Sequence, residues 1–503
     1  MTQSNYERLS ALDNLFLVFE SATTPMHVGS AAVFDTGPLT RPGGGIDAAA
    51  IKQYIAARLD RIPRYRERLA HIPVEDRAVW VDDAGFDLEY HVRHTSVPKP
   101  GTDALLKQVC ARIFAQPLDL TRPLWETWIV EGLEGGRFAL VMKVHHCMID
   151  GVSGADLMTV LLSTTPEIAE EAPARWIPRP MPTRTELLRN ELVDRARVPL
   201  SLAARALRHP LEAVANVSDA LGAVAGSLSP VMQTASALPF NAAISSHRRF
   251  DWTTMDIDAV KAVRSVGGST LNDVVLATVA GAVRRFLQRH GVNVAPLIFR
   301  VFVPVSTRTL EQRGTLGNQV AGWIVELPIA EPEALRRLEQ IHNTTAMLKA
   351  ANVVRGAEVL NSVVEWTGSA WVSMAMRLSS QTLPFNLVVT NVPGPPMPLY
   401  LLGSRLTAVY PMVPLFTNLG LGVALFSNAG RLFWGCNADW ALLPDLGDFI
   451  ADLNGAFAEL QEGAGRSLRP RRAAHPSKPP ARSRHTAAAH GGVARARSRR
   501  HAG

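Results

Sequence analysis

Cysteine is scarce in this chain of 503 residues: there are three, Cys110, Cys147 and Cys436, with no CxxC spacing among them. That scarcity argues against a disulfide framework and a structural zinc site, and it suits a reducing, cytoplasmic setting. Long apolar runs are missing as well. One of the longest, Val274 to Val283, is broken by Thr278 and Gly281, well short of the roughly 20 residues that cross a bilayer. The start, Met-Thr-Gln-Ser-Asn-Tyr-Glu-Arg, has no apolar core of the kind a signal peptide needs. Also absent are a GxSxG elbow, a GxxxxGK[ST] loop and a GxGxxG turn after a strand. Those gaps remove the usual signatures of serine hydrolases, nucleotide phosphatases and dinucleotide enzymes. A nucleophile, if the chain is an enzyme, is expected from a substrate.

Acidic side chains are missing from the C-terminal segment, which is strongly basic. Residues 466–503 hold ten Arg and Lys478 with no Asp or Glu, so the formal charge of +7 belongs to that tail; the rest carries 41 basic and 45 acidic side chains, a net of −4. The tail is rich in Arg, Ala, Pro, Ser and His without apolar periodicity, which predicts disorder; it is either merely solvated or weakly drawn to anionic lipid or nucleic acid, with no specific nucleic acid expected.

A composition that is 47% hydrophobic over this length supports two ordinary cores. The expected division is a first domain over 1–185, a helical connector over 186–245, a second domain over 246–465 and the basic tail over 466–503. The connector alternates Leu200, Leu202, Leu207, Leu211 and Val214 with Arg195, Arg197, Arg205 and Arg208. It either packs between the domains with its Arg wet or lies on a membrane interface.

Period-two runs predict a hairpin over 125–146 turned at Gly135-Gly136, and strands at 250–255, 297–305, 320–327, 385–392, 420–426 and 432–437. Helical spacing predicts helices over Ala48 to Ile62 (stopped by Pro63), Leu105 to Phe114, from Thr270, and Leu446 to Leu460. Strands and helices mix without regular alternation, so the fold class is α/β of the mixed-sheet, α+β kind.

Chemistry concentrates in residues 145–151, His-His-Cys-Met-Ile-Asp-Gly, an HHxxxDG heptad at the end of an apolar strand. Phe138, Leu140, Met142, Val144 and His146 share one face of that strand; Lys143 and His145 share the other. A neutral imidazole is well matched to moving a proton near pH 7, so His146 reads as a general base. His145 points away, which disfavours a shared metal ion, and none is expected. Asp150 reads as a loop-shaping carboxylate and Gly151 as the turn. Ser153-Gly-Ala-Asp156 then looks like a capping box opening a helix. Cys147 reads as a buried small hydrophobe.

The heptad does not stand alone. Together with Pro123-Leu124-Trp125-Glu126, Pro25-Met26-His27-Val28-Gly29, Leu271-Asn272-Asp273 and Thr390-Asn391-Val392-Pro393-Gly394-Pro395, it resembles the bacterial wax ester synthase/acyl-CoA:diacylglycerol acyltransferase family, from about Leu9 to Leu460. The resemblance implies a two-domain, chloramphenicol-acetyltransferase-like fold of CoA-dependent acyltransferases, with His146 as base and Asn272 reaching the site from the second domain. It further implies transfer of a long-chain acyl group from acyl-CoA to diacylglycerol or a long-chain alcohol, acyl-CoA being a co-substrate and no cofactor being needed. Peripheral association with the membrane or lipid inclusions goes with such substrates. Asp273 has a second reading, since Thr270-x-x-Asp273 is a capping-box pattern. Two other functions fit the heptad: a condensation-type transferase acting on an amine or complex lipid, and a catalytically inactive lipid-binding protein.

Overall fold

Gly135 and Gly136 take φ values of 74° and 64°, a left-handed region that glycine enters without penalty. They reverse the chain between β6 (Trp125–Leu133) and β7 (Arg137–His145), the expected hairpin. The computed structural model describes residues 5–72, 78–148, 160–168, 174–190, 234–306, 320–350 and 383–468. The tail from 469, most of the connector, and residues 149–159 with the expected capping box lie outside the described residues.

Ahead of the hairpin come β1 (Glu7–Arg8), α1 (Ala11–Phe19), β2 (His27–Asp35), α2 (Ala48–Ala56), β3 (Glu67–His71), β4 (Ala78–Asp82), α3 (Leu88–His91), β5 (Val92–Ser96) and α4 (Asp103–Ala115). The helix expected over Ala48 to Ile62 ends early, at Ala56. Single 3-10 turns at Leu59–Arg61 and Pro63–Arg66 follow, a tightening common where a helix runs out before a proline.

After the hairpin follow β8 (Arg248–Asp256), α5 (Ile257–Gly267), α6 (Leu271–Arg289), β9 (Phe299–Ser306), β10 (Val320–Leu327), α7 (Ala334–Ala350), β11 (Leu387–Pro393), β12 (Tyr400–Leu401), β13 (Ser404–Met412), β14 (Leu421–Asn428), β15 (Arg431–Asp439) and α8 (Leu446–Leu468). The last helix runs eight residues past its expected end and takes in Arg466 from the supposed tail. Two six-stranded sheets result, ordered β12-β13-β2-β7-β6-β5 and β10-β9-β11-β14-β15-β8, beside a small sheet β1-β4-β3. Parallel pairs (β5 with β6, β11 with β9 and β14) mix with antiparallel ones, as the irregular alternation of elements predicts.

Strand β13 lies within the span expected as the second domain, yet it pairs with β2 in the first sheet, Met412 opposite Gly29. It also joins the two sheets. A Cβ on Gly435 of β15 would fall 1.8 Å from the Pro411 carbonyl oxygen, so the absence of a side chain there lets the strands meet.

Both faces of β7 are buried. Phe138, Leu140 and Val144 pack with Phe34 and Trp125 on one side; Ala139 and Val141 pack with Cys110 and Phe114 of α4 on the other. In the second unit, α6 is apolar almost all round, and its run from Val274 to Val283 is core. Each such Val or Leu contributes about 1.5–3 kcal/mol on burial. Among the described residues no single helix is long and apolar enough to cross a membrane.

Candidate active site

Strand β7 ends at His145, and His146 opens a 3-10 turn over His146–Met148. The base therefore leaves the strand one residue earlier than the straight alternation implies. Two backbone carbonyls fix that departure: Leu124 accepts the amide of His145 at 2.9 Å, and Met26 accepts the amide of His146 at 2.8 Å. The segments Pro123-Leu124-Trp125 and Pro25-Met26-His27 are thus the two banks between which the heptad begins.

The half-buried His146 ring stacks on Phe16 of α1, centroids 3.7 Å apart and planes 16° from parallel. Its Nδ1 is buried without a hydrogen-bond partner, and no described residue engages Nε2. Burial pushes its pKa down to about 4, with neighbouring His145 adding to the depression. A ring so held is neutral at physiological pH and able to accept a proton.

His145 points the other way, as expected, and is fully buried. Its Nε2 contacts Glu20 Oε2 at 2.8 Å, and its Nδ1 receives the Cys147 amide at 3.2 Å. Burial holds the Cys147 thiol well above its ordinary pKa, so it stays protonated and unreactive. Behind this pair, Lys143 is completely buried and its Nζ donates to the carbonyls of Ile113 (3.2 Å) and Gln116 (2.9 Å) at the end of α4, with Glu126 at 3.5 Å. A cation satisfying the last carbonyls of a helix also complements the helix dipole. His27, opposite His145 in the sheet, donates from Nε2 to the Phe114 carbonyl at 2.8 Å. Burial holds its pKa well below normal.

The same geometry explains two glycines. A Cβ on Gly29 would lie 2.6 Å from both the Met142 carbonyl oxygen and the Phe114 ring, and one on Gly394 would lie 2.2 Å from the Ser427 carbonyl oxygen. Trp125 stacks on His91 at 4.7 Å and donates to the Tyr65 carbonyl at 2.8 Å.

Asn272 lies in the first turn of α6, half-buried, and makes no hydrogen bond to a described residue. Asp273 closes the capping box with Thr270 and adds His342 (2.8 Å) and Thr345 (2.7 Å) on α7. Its structural reading holds, extended to a clasp between two helices. Asp150 and Gly151 lie outside the described residues.

Sequence reasoning did not single out Phe16, Glu20 or Lys143. Glu20 is 125 residues from His145, and no local spacing connects them. The motif Pro25 to Gly29 was visible, but the work of its carbonyl and its histidine was not.

Two spaces lie on opposite faces of the first sheet. An apolar void of about 10 Å³ lies on the His146 face of β7, against Phe34, Leu140, Met142 and Leu401. A cleft of about 540 Å³ opens between α4 and the starts of β8 and α8, lined by Lys107, Arg112, Arg248, Arg249, Asp251 and Trp440, among others. Lys107 pairs with Asp251, while Arg249 stacks on the exposed Trp440 at 3.7 Å.

Comparison with known proteins finds both halves of the chain in one family. Residues 9–275 match the wax ester synthase/diacylglycerol acyltransferase catalytic domain, and residues 316–461 match the WS/DGAT C-terminal domain. A Mycobacterium tuberculosis (strain CDC 1551 / Oshkosh) protein named as a diacylglycerol O-acyltransferase is 35% identical over 477 residues, covering 91% of this chain and 90% of its own. Another from strain H37Rv, tgs1, is 31% identical over 460 residues, 90% and 95% of the two chains. The solved wax ester synthase/diacylglycerol acyltransferase from Marinobacter aquaeolei VT8 superposes with a TM-score of 0.63 at 26% identity, covering 91% of this chain and all of that one. The starter condensation domain of rhizomide synthetase, at 14% identity and a TM-score of 0.57 over 93% and 96%, shares the fold alone. With both domain models matched in order, and with the heptad flanked by the segments that position it, this chain belongs to the wax ester synthase/diacylglycerol acyltransferase family.

Proposed function

We propose that the protein moves a long-chain acyl group from acyl-CoA to the free hydroxyl of diacylglycerol, giving triacylglycerol, with long-chain alcohols as alternative acceptors. The observation that carries this reading is the neutral His146 ring, clamped by Phe16 and hung from the Met26 carbonyl, with no described residue on Nε2.

His146 takes the proton from the acceptor hydroxyl as its oxygen attacks the thioester carbonyl. The tetrahedral oxyanion collapses, the carbon–sulfur bond breaks, and His146 returns the proton to the departing CoA thiolate. The products are an ester and free CoA, and the transfer balances without a metal or cofactor. Base catalysis of this kind contributes roughly 10²–10⁴-fold, and one oxyanion donor about 2.7–4 kcal/mol. Asn272 and a backbone amide near Gly151 are the proposed donors, Asp150 shaping the loop between them.

The cleft beside α4 supports a polyanionic donor, because Arg112 and Arg249 line it without a carboxylate partner among the described residues. The apolar void along β7 supports an acyl-chain seat that opens by side-chain movement, since at about 10 Å³ it does not hold a chain as it stands. Both lipid substrates and product are water-insoluble, so the enzyme is placed at a membrane or lipid-inclusion surface; the Arg-rich segment 466–503 supports that.

The test is transfer of labelled palmitate from palmitoyl-CoA to diacylglycerol and a panel of alcohols, products separated by lipid chromatography. His146→Ala is expected to abolish all but a trace of every product. Near-wild-type transfer by that variant removes His146 as the base, and lipid binding without any turnover by the wild type removes the enzymatic reading.

A further inference from the structure

Helix α1 grips the heptad twice. Phe16 and Glu20 stand four residues apart, hence on one face where the helix ends. Phe16 stacks on His146 while Glu20, one-tenth exposed, meets His145 at 2.8 Å. The bonding pattern around His145 fixes where its proton lies. A backbone amide only donates, so the Cys147 amide at 3.2 Å calls for a bare Nδ1, and the Cys147 thiol, 2.9 Å from the same nitrogen, then donates to it as well. The proton is then on Nε2, and Glu20 Oε2 accepts it.

We propose that Glu20 is a positioning residue for the base: by accepting from His145 Nε2–H it locks the tautomer whose Nδ1 holds the Cys147 amide, and so fixes the turn that presents His146. The logic is one of satisfaction. Remove the acceptor and a buried N–H is left unpaired, a cost the ring escapes by moving its proton to Nδ1. It then cannot receive the Cys147 amide, and the turn His146–Met148 loses its tie to β7. Misplacing a catalytic group by about 1 Å can cost roughly 10²-fold in rate. Substrate affinity need not change, because Glu20 faces His145 and not the ligand side of His146.

This inference rests on His146 being the base, and the experiment separates the two. In the full-length enzyme with palmitoyl-CoA and diacylglycerol, Glu20→Ala is expected to lower kcat about 10- to 100-fold with KM within about twofold. Glu20→Gln, whose amide oxygen still accepts from Nε2–H, restores kcat to within about threefold of wild type. A thermal melt reports folding, and Glu20→Met, of similar length, replaces the alanine variant if that one does not fold. Acting through His145, the Glu20→Ala change adds no further loss in a His145→Ala background. Wild-type kcat in Glu20→Ala, equal damage in Glu20→Gln and Glu20→Ala, or an additive loss in the double variant overturns the proposal. If instead His146→Ala keeps activity, the assignment of the base fails before Glu20 is in question.

Discussion

Phe16 covers one face of the His146 imidazole, with 3.7 Å between centroids and 16° between planes. A ring shielded in this way is desolvated, and desolvation is the largest cause of its lowered pKa of about 4. Shielding therefore keeps the base neutral over the whole physiological range.

The consequence is readable in a pH–rate profile. Activity needs neutral His146, so kcat/KM is expected to stay level as pH falls through the ordinary histidine value of 6.5 and to drop only on approach to about 4. Phe16→Ala opens the ring to water, raises its pKa toward 6.5 and moves the acid limb upward. A wild-type limb near 6.5 contradicts the desolvated base.

Stability follows pH with a defined sign. His27, His91 and His146 all have lowered pKa values, burial being the first cause in each. Below about 6.5 the unfolded chain takes up protons that the native state refuses, so stability is full above that pH and is lost progressively below it. Urea midpoints at pH 7.5 and 5.5 measure this. Equal midpoints refute it.

Gly29→Ala is expected to destabilise by about 1–3 kcal/mol, the usual range for overpacking. Its new Cβ would meet a backbone oxygen and the Phe114 ring at 2.6 Å, and the backbone cannot swing aside. Denaturant titration gives the number, and a loss under about 0.5 kcal/mol, typical of an uncrowded surface site, shows that the strand pair relaxes.

Lys143→Met is nearly isosteric but leaves the carbonyls of Ile113 and Gln116 without their shared donor. The expected loss is about 1.5–3 kcal/mol for hydrogen bonds from a charged donor, with fraying at the end of α4. Hydrogen exchange of the Phe114 and Ala115 amides reports the fraying; unchanged protection assigns Lys143 no capping role.

Arg112→Ala and Arg249→Ala probe the basic cleft. Each is expected to raise KM for palmitoyl-CoA several-fold with little change in kcat, an effect that weakens at high salt. A palmitoyl thioester of N-acetylcysteamine, which lacks the nucleotide, is expected to be indifferent to both. Equal effects on the two donors remove the cleft from donor binding.

The hairpin β6–β7, the strands around Leu297 to Val305, Phe385 to Val392 and Gly420 to Asn437, and the capping box at Thr270 were legible because each is local. Alternation, paired glycines and cap spacing all act within a few residues. Strand β2 was not read as a strand: Ala31, Ala32, Val33 and Phe34 are all buried, so the segment shows no alternation. His146 was legible as a candidate because imidazole beside a turn announces itself. What holds it was not found, since Phe16 and Met26 reach it, and Glu20 and Leu124 reach its neighbour His145, from distant sequence through a ring face, a side-chain hydrogen bond and two carbonyls. Backbone carbonyls carry no residue signature at all.

The position of β13 governs the order in which the chain can complete itself. Strand β2 pairs with β7 on one side as soon as residue 145 exists, but its other side waits for residues 404–412. During synthesis at roughly 5–20 residues per second that is an interval of some tens of seconds. Until then the nascent first sheet presents an unpaired hydrophobic margin, a template for wrong pairing that a truncated chain keeps permanently. A fragment ending before Ser404 is therefore a species prone to aggregate, and the first half of this enzyme finishes folding only after most of the second has been made.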